Sequence, residues 1–190
     1  MFGSCFPRNS KARTTTRHWN RLALNKSALA GRRLTKSKVN GDMRKILAIS
    51  SGGGHWVQLL RLRPAFDGCA VTYACVRPAY AEDVPGEAFV TYTDATRWDR
   101  WRLLKMLLQV SWLVLRLRPD VVISTGAAPG YAAIRLGRLI GARTVWIDSI
   151  ANVETLSLSG AKIGRHVDLW LTQWPHLAKP EGPVFKGAVI

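Results

Sequence analysis

The sequence predicts a single doubly wound α/β domain with a mostly parallel sheet, preceded by a basic tail. From Lys45 onward, short β-rich runs alternate with longer segments of helical periodicity, which is the βαβ order of a parallel sheet covered on both faces. The runs are also almost continuously apolar, as in Lys45-Ile46-Leu47-Ala48-Ile49, which is typical of strands buried on both sides. At 190 residues the chain has room for one sizeable core.

The elements are predicted in chain order. Six strands are expected, at 45–51, 69–76, 88–93, 121–125, 143–148 and 167–173. Four helices are expected between them, at about 55–65, 97–118, 130–140 and 155–165. Ligands of doubly wound folds bind beyond the carboxyl ends of the strands, so we expect functional residues in the loops that follow strands.

Residues 1–42 differ in composition from the rest of the chain. Before Asp42 they contain ten of the 28 Lys and Arg residues and no acid, whereas the remaining 18 basic residues face 12 acidic ones, a balance of about +6. Such a polar segment buries too little apolar surface to offset the entropy of ordering, which predicts a disordered tail. It is interpreted as a basic arm, an organellar presequence, or translation upstream of a true start at Met43; the domain then spans 43–190.

A glycine-rich loop, Ser51-Gly52-Gly53-Gly54-His55, follows the first strand. Consecutive glycines allow close approach of a ligand to the backbone, and the next helix start favours an anion such as a diphosphate. The spacing is neither a dinucleotide fingerprint nor a P-loop, and we predict no cofactor and no metal. His55 is a candidate base or phosphate partner. The alternative is a tight turn whose glycines serve packing alone.

Two further strand ends carry small or polar residues. Thr125 and Gly126 follow the fourth strand, so that a second glycine loop would share one crevice with the first. Asp148 and Ser149 end the next strand, and Glu154 lies in the polar segment after it. These groups are candidates for binding sugar hydroxyls or, for Glu154, for acting as a base.

The predicted helix 97–118 combines tryptophans and positive charge on one stripe. Its members recur at three- and four-residue steps: Trp98, Trp101, Arg102, Lys105, Gln109, Trp112 and Arg116. Indoles mixed with basic residues suit the headgroup region of an anionic bilayer, so we expect this stripe to dock on a membrane. Two alternatives are core packing of the indoles and stacking on nucleic acid, and the lack of a known binding module disfavours nucleic acid.

The described motifs resemble those of one protein family. The runs that carry the resemblance are Ser51 to His55, Pro119 to Gly126, Asp148-Ser149, Val153 to Lys162, and Gln173-Trp174-Pro175. They are similar to the membrane-anchoring subunit of the two-subunit UDP-N-acetylglucosamine transferase of dolichol-linked oligosaccharide synthesis, and to the bacterial PssD-type subunits of exopolysaccharide glycosyltransferases.

The resemblance implies a Rossmann-like domain that is the N-terminal, acceptor-side half of a split GT-B glycosyltransferase, as in the related MurG enzymes. It implies a separate donor-side subunit that binds the UDP-sugar, and a polyprenyl-diphosphate-linked saccharide as acceptor. By position, Gly52 to His55 would face the acceptor diphosphate and its reacting hydroxyl, and Glu154 would approach the cleft. The polar start, and Asp148 and Asn152 where the eukaryotic subunits carry Glu and Arg, favour the bacterial branch, in which glucuronic acid replaces N-acetylglucosamine as a candidate sugar.

The functional hypothesis is transfer of a sugar from a UDP donor to this lipid-linked acceptor at the cytoplasmic face of the membrane, where the chain would be peripheral. No stretch reaches the roughly 18 apolar residues of a membrane-spanning helix, and no secretory signal is evident. The rival hypothesis is a non-catalytic anchor that recruits the donor-binding subunit. A basic nucleic-acid-binding domain is the distant alternative, and no nucleic-acid partner is expected.

Overall fold

Seven parallel strands form the centre of the computed structural model, which describes residues 43–96 and 98–189. The strands are β1 (Lys45–Ile49), β2 (Ala70–Cys75), β3 (Ala88–Thr91), β4 (Val121–Ser124), β5 (Arg143–Ile147), β6 (Leu169–Thr172) and β7 (Val184–Phe185). The helices are α1 (Gly54–Leu60), α2 (Arg100–Leu117), α3 (Ala127–Leu139) and α4 (Leu158–Ile163). All neighbouring strands pair in parallel, which confirms the predicted fold class.

The strand order is β3-β2-β1-β4-β5-β6-β7, so β1 has β2 on one side and β4 on the other. The chain therefore leaves β1 in one direction and later resumes the sheet at β4 in the opposite direction. This reversal of strand order opens a crevice at the carboxyl ends of β1 and β4, which is the usual ligand position in doubly wound folds. Both predicted glycine loops lie there.

The sheet is buried because its strands are apolar on both sides. In β1 and β5 every residue except the first is buried, and all of β4 is buried. Adjacent residues of β2 face different helices: Tyr73 contacts Trp56 of α1, whereas Ala74 belongs to the core cluster that includes α2 and α3. This alternation confirms that near-continuous apolar runs belong to strands covered on both faces.

Helix α2 begins at Arg100, three residues later than predicted. Asp99 caps it, because the Asp99 side chain accepts a hydrogen bond from the Arg102 backbone N–H at 3.0 Å. The helix ends at Leu117; the capping residue Arg118 has a left-handed φ of 45°, and Pro119 follows. The segment from Trp98 to Asp99 is thus a helix entry.

Other boundaries differ for local reasons. Helix α3 begins at Ala127 instead of 130, because Pro129 stands in the first turn, where a missing N–H costs nothing. The two-residue strand β7 was not predicted, since two residues carry no periodicity. The predictions for the tail of residues 1–42 and for a start at Met43 fall outside the described part of the chain.

Candidate functional site

The two glycine loops are joined by a reciprocal pair of hydrogen bonds between His55 and Thr125. His55 Nδ1 lies 2.8 Å from the Thr125 carbonyl oxygen. The Thr125 hydroxyl donates to the His55 carbonyl oxygen at 2.7 Å. The start of α1 is thereby fixed against the end of β4, 70 residues away in sequence. The two glycine loops therefore lie side by side, as predicted, and His55 is the residue that joins them.

This contact sets the tautomer of the His55 imidazole. A carbonyl oxygen only accepts hydrogen bonds, so Nδ1 carries a proton and donates it to Thr125. In the neutral ring, Nε2 then holds a lone pair, and it makes no hydrogen bond to any residue in 43–96 or 98–189. The ring is half-buried. His55 is therefore an oriented imidazole whose acceptor nitrogen is available to a ligand.

Gly126 is required by the close approach of His55. A Cβ built on Gly126 would lie 2.6 Å from His55 Cε1, well inside van der Waals contact. Its φ of +134° is also one that L side chains rarely adopt. The second loop therefore needs glycine here both for backbone conformation and for the position of the imidazole ring.

The first loop leaves its glycines accessible from outside. Gly53 and Gly54 are exposed, and Ser51 and Gly52 are half-buried. The Gly53 N–H donates to the Tyr80 hydroxyl at 3.1 Å, so the turn after β2 supports this loop. The loop thus presents open backbone between Tyr80 on one side and His55 on the other.

Asp148 and Ser149 point inward and bind the chain itself. Asp148 is only 1% exposed, and its carboxylate accepts hydrogen bonds from the Ser157 hydroxyl at 2.6 Å and the Ser157 N–H at 2.9 Å. Ser149 Oγ accepts from Gln58 Nε2 at 3.2 Å. Both residues were predicted from the sequence to bind a ligand. In the structure, their side chains form hydrogen bonds that hold the segment after β5.

A buried amide network joins α1, the β5 loop and the end of β6. Gln58 Oε1 accepts from Gln173 Nε2 at 2.6 Å and from the Ile150 N–H at 3.1 Å. Gln173 Nε2 also donates to the Asp148 carbonyl oxygen at 2.9 Å, and Gln173 Oε1 accepts from the Val189 N–H. The role of Gln58 in this network was not predicted from the sequence. The available signal was a glutamine between Trp56 and Leu59 on an otherwise apolar helix face.

Glu154 lies in the segment after β5. Side chains of residues that follow β6 hold this segment through contacts with its backbone carbonyl oxygens. Trp174 Nε1 donates to the Ile150 carbonyl oxygen at 2.8 Å, and His176 Nε2 lies 2.6 Å from the Val153 carbonyl oxygen. The Glu154 side chain is exposed and makes no hydrogen bond or salt bridge within the described ranges. The structure therefore leaves its carboxylate accessible and does not bring it into contact with His55.

Helix α2 exposes a continuous apolar stripe. Trp101 is 83% exposed and Trp112 is 61% exposed, and further exposed residues complete the stripe at three- and four-residue steps: Leu104, Leu108 and Leu115. The basic residues Arg102, Lys105 and Arg116 are also exposed. The Arg116 guanidinium stands 5.3 Å from the centre of the Trp112 ring. We call this surface the α2 stripe.

The residues exposed on this face of α2 differ in part from those predicted. Gln109 does not belong to the α2 stripe, because its Oε1 accepts a hydrogen bond from the Thr93 N–H at 2.8 Å. Leu107, which does not belong to the stripe, is also 36% exposed. Trp98 is exposed at the helix entry. None of the helices in the described part of the chain is both long and apolar enough to cross a bilayer.

An apolar groove of about 310 Å³ lies beside the α2 stripe. It lies between the end of β3 and α2, and its lining includes Val90, Tyr92, Leu108 and Trp112. The Tyr92 hydroxyl donates to the carbonyl oxygen of Ser50, the residue before the loop, at 2.6 Å. Tyr92 thus contributes to the groove and also holds the end of β1, from which the first glycine loop begins.

The fold and the crevice define the class: this is one Rossmann-like half of the GT-B glycosyltransferase fold. Acinetobacter baumannii MurG superimposes on 75% of this chain with a TM-score of 0.60 at 14% identity, and the match covers 45% of MurG. A UDP-N-acetylglucosamine 2-epimerase from Rickettsia bellii covers 78% of the chain with a TM-score of 0.55 at 12% identity, over 46% of its own length. At these identities the likeness concerns the fold.

Part of the chain is similar to one particular family, Alg14. Residues 99–187 match the family model described as "Oligosaccharide biosynthesis protein Alg14 like". The UDP-N-acetylglucosamine transferase subunit ALG14 of Mus musculus is 42% identical over 89 residues, and the corresponding subunit of Schizosaccharomyces pombe is 35% identical over 85 residues. The resemblance predicted from the sequence is confirmed over this part of the chain.

The match covers less than half of this chain and less than half of each relative. Each alignment covers 41% of this chain and 39% of the relative's own length. The family match begins at residue 99 and therefore includes Thr125, Asp148 and Glu154 but not the first glycine loop. The position of His55 in the crevice rests on its contact with Thr125, which lies within the matched segment.

Proposed function

We propose that this chain is the acceptor-binding, membrane-docking subunit of a UDP-sugar-dependent glycosyltransferase. The reaction is transfer of an N-acetylglucosaminyl or glucuronosyl group to a polyprenyl-diphosphate-linked saccharide, in lipid-linked oligosaccharide or exopolysaccharide synthesis. A separate donor-side subunit supplies the UDP-sugar site. The ALG14 relatives, named as subunits of a UDP-N-acetylglucosamine transferase, support the glycosyltransferase class.

The observation that carries this proposal is the oriented imidazole of His55. With Nδ1 donating to Thr125, the lone pair on Nε2 of the neutral ring has no hydrogen-bond partner among the described residues and is available to a ligand. In the proposed step, His55 Nε2 takes the proton of an acceptor hydroxyl while that oxygen attacks the anomeric carbon of the donor sugar. The bond from that carbon to UDP breaks, and UDP leaves with the electron pair, so the configuration is inverted.

The two glycine loops are proposed to hold the acceptor diphosphate. Gly52 to Gly54 offer open backbone, and Thr125 and Gly126 close the other side of the crevice. Glu154 is accessible on the segment beyond β5 and is proposed to contact the saccharide. Asp148 and Ser149 contribute by holding that segment in place.

The α2 stripe is proposed to dock the domain on an anionic membrane at the cytoplasmic face. Exposed indoles and leucines beside Arg102, Lys105 and Arg116 match the bilayer headgroup region, where each basic residue adds about 1 kcal/mol. Docking is proposed to bring the crevice near a lipid-linked acceptor, since Tyr92 lines the groove beside the stripe and bonds to Ser50, the residue before the first loop. Holding the acceptor near the imidazole is itself a large part of catalysis.

The test is reconstituted transfer. The full chain is combined with its donor-side subunit, a labelled UDP-sugar and a polyprenyl-diphosphate-linked acceptor in vesicles. His55→Ala is expected to reduce turnover at least about tenfold, as for loss of a general base. His166→Ala is the matched control, since His166 is a half-buried histidine whose Nε2 lies 3.1 Å from Arg135 Nη1, on α3. Unchanged turnover in His55→Ala, with transfer intact in the control, contradicts the catalytic role of His55.

A second candidate function is a non-catalytic anchor for the donor-binding subunit. The observation that favours it is the α2 stripe, which would serve recruitment without any chemistry in the crevice. In that case the donor-side subunit alone would transfer sugar to a water-soluble acceptor analogue, and His55→Ala would have no effect on transfer from the complete pair. The same reconstitution, repeated with and without this chain, decides between the two functions.

A further inference from the structure

The turn after β2 places a cationic side chain across the open side of Gly52. Arg77 Nε lies 3.6 Å from the position that a Cβ on Gly52 would occupy, and Tyr80 Cε2 lies 3.7 Å from the same point. Gly52 has no side chain to fill this space. Arg77 and Tyr80 therefore pack against the first glycine loop at Gly52, beside Val76 Cγ2, which lies 3.5 Å from the same point.

Arg77 is a charge without a salt-bridge partner among the described residues. The salt bridges between residues of the described ranges join Arg102 to Asp99 and Arg138 to Asp168, and the Arg77 guanidinium takes part in neither. The side chain is exposed and makes no hydrogen bond within those ranges. A guanidinium is always protonated and offers two parallel donors, which match two oxygens of a phosphate.

Tyr80 is held rigidly beside this cation and has a proton to donate. Its ring stacks on Trp56 with the ring centres 5.2 Å apart and the planes within 7° of parallel. Trp56 is itself anchored, because its Nε1 donates to Asp83 at 2.8 Å. The Tyr80 hydroxyl accepts from the Gly53 N–H, so its own hydrogen is directed to a further acceptor.

We propose that Arg77 and Tyr80 form the second wall of the diphosphate site, with Arg77 as the counter-charge of the acceptor diphosphate. This inference rests on the proposed function and deepens it. Arg77 and Tyr80 approach the loop at Gly52 and Gly53, and His55 follows directly after Gly54, so a diphosphate on this loop would meet the guanidinium and phenol at its start and the imidazole at its end. An anion of tetrahedral oxygens suits donors that converge from several directions.

The first test measures binding of metal-free inorganic pyrophosphate to the full chain by calorimetry at physiological salt. Arg77→Gln is expected to weaken binding about tenfold or more, and Arg77→Lys to weaken it less, because lysine keeps the charge but not the paired donors. Arg143→Gln is the matched control. Arg143 is an exposed arginine at the amino end of β5, whereas the glycine loops lie at the carboxyl ends of the strands. Near-ultraviolet circular dichroism of the Trp56–Tyr80 pair verifies that each variant is folded.

Three results of this test overturn the inference: wild-type chain that does not bind pyrophosphate, equal binding by Arg77→Gln, or an equal loss in Arg143→Gln. Glucuronate is the comparison ligand, because a uronic acid carboxylate offers an alternative anion for the same guanidinium. If glucuronate binding depends on Arg77 and pyrophosphate binding does not, the diphosphate assignment is wrong.

The second test uses the reconstituted enzyme and separates this inference from the proposed function. Arg77→Gln is expected to raise the KM for the lipid-linked acceptor about tenfold and to leave the KM for the UDP-sugar unchanged. A raised KM for the UDP-sugar alone would assign Arg77 to the donor and overturn the inference. Active transfer with an unaltered acceptor KM refutes the role of Arg77 and leaves the proposed function standing. Tight, Arg77-dependent pyrophosphate binding without transfer refutes the proposed function instead.

Discussion

Gly126 and His55 are packed so closely that a single methyl group on the glycine would displace the imidazole. The Cβ of an alanine at this position would stand 2.6 Å from His55 Cε1 and 2.8 Å from Nδ1, the atom that donates to Thr125. The orientation of His55 is therefore determined by a residue on a different strand end. The dependence of the His55 orientation on Gly126 can be tested by substitution of the glycine.

Gly126→Ala is expected to reduce transfer as severely as His55→Ala, because the clash breaks the bond that fixes the tautomer. Nitrogen-15 NMR of the imidazole should show the loss of a protonated Nδ1. Gly141→Ala is the matched control: Gly141 also has a positive φ, of +88°, but a Cβ there meets no atom within 4 Å. Both variants should lose about 1 kcal/mol of stability from backbone strain. Equal transfer by the two variants would contradict the prediction.

Asp148→Asn is expected to destabilise the fold by about 3 kcal/mol, since it removes charge from a buried acceptor of four donors: the N–H and hydroxyl of Ser157, Asn152 Nδ2 and Trp146 Nε1. Urea unfolding provides the measurement. Asp120→Asn serves as control, because Asp120 is exposed and accepts a hydrogen bond from the Lys45 N–H. A loss below about 0.5 kcal/mol in Asp148→Asn would show that this carboxylate does not hold the β5 segment.

The double variant Trp101→Ser, Leu108→Ser is expected to lower partitioning into vesicles that contain anionic lipid at least about tenfold, because burial of each side chain in the interface contributes roughly 2 kcal/mol. Vesicle flotation measures the bound fraction. Leu139→Ser is the control, because Leu139 is an equally exposed apolar residue at the end of α3. Partitioning that drops in both proteins alike would mean that the α2 stripe has no special role.

Alkaline pH is expected to destabilise the chain through buried phenols. Burial raises the pKa of Tyr73 to about 12 and also raises the pKa of Tyr92. A raised folded-state pKa favours the neutral phenol, so this stabilisation is complete below the unfolded value near 10 and is lost as the pH rises toward 12. Unfolding free energies at pH 8 and pH 11 measure the loss. Tyr73→Phe should reduce the difference between them, and an equal difference in that variant would contradict the assignment.

The sheet and the two loops were predictable because each is encoded locally. Runs such as Lys45–Ile49 are apolar throughout, and only strands covered on both faces have that pattern. The glycines after β1 and β4 mark loops that must admit a ligand or another side chain closely. The parallel order then brings Thr125 beside His55, although no periodicity indicates their mutual hydrogen bonds.

The contacts that could not be predicted join residues distant in sequence. Gln58 and Gln173 are 115 residues apart, and the sequence around either residue does not indicate that their side chains are in contact. The Asp148 side chain was expected in the crevice, but Ser157, nine residues later, returns to cover it. The exposure of Leu104, Leu108 and Leu115 was missed because leucine in an amphipathic helix ordinarily indicates the core face.

The amide network has a consequence for enzymology. Gln58 and Gln173 bind each other, the backbone of the β5 loop and the N–H of Val189 through groups that neither gain nor lose a proton in the range where enzymes are assayed. This part of the support beneath the crevice therefore keeps the same geometry from mildly acidic to mildly alkaline solution. A pH–rate profile of the reconstituted enzyme would report on the reacting groups, without a contribution from loosening of this network.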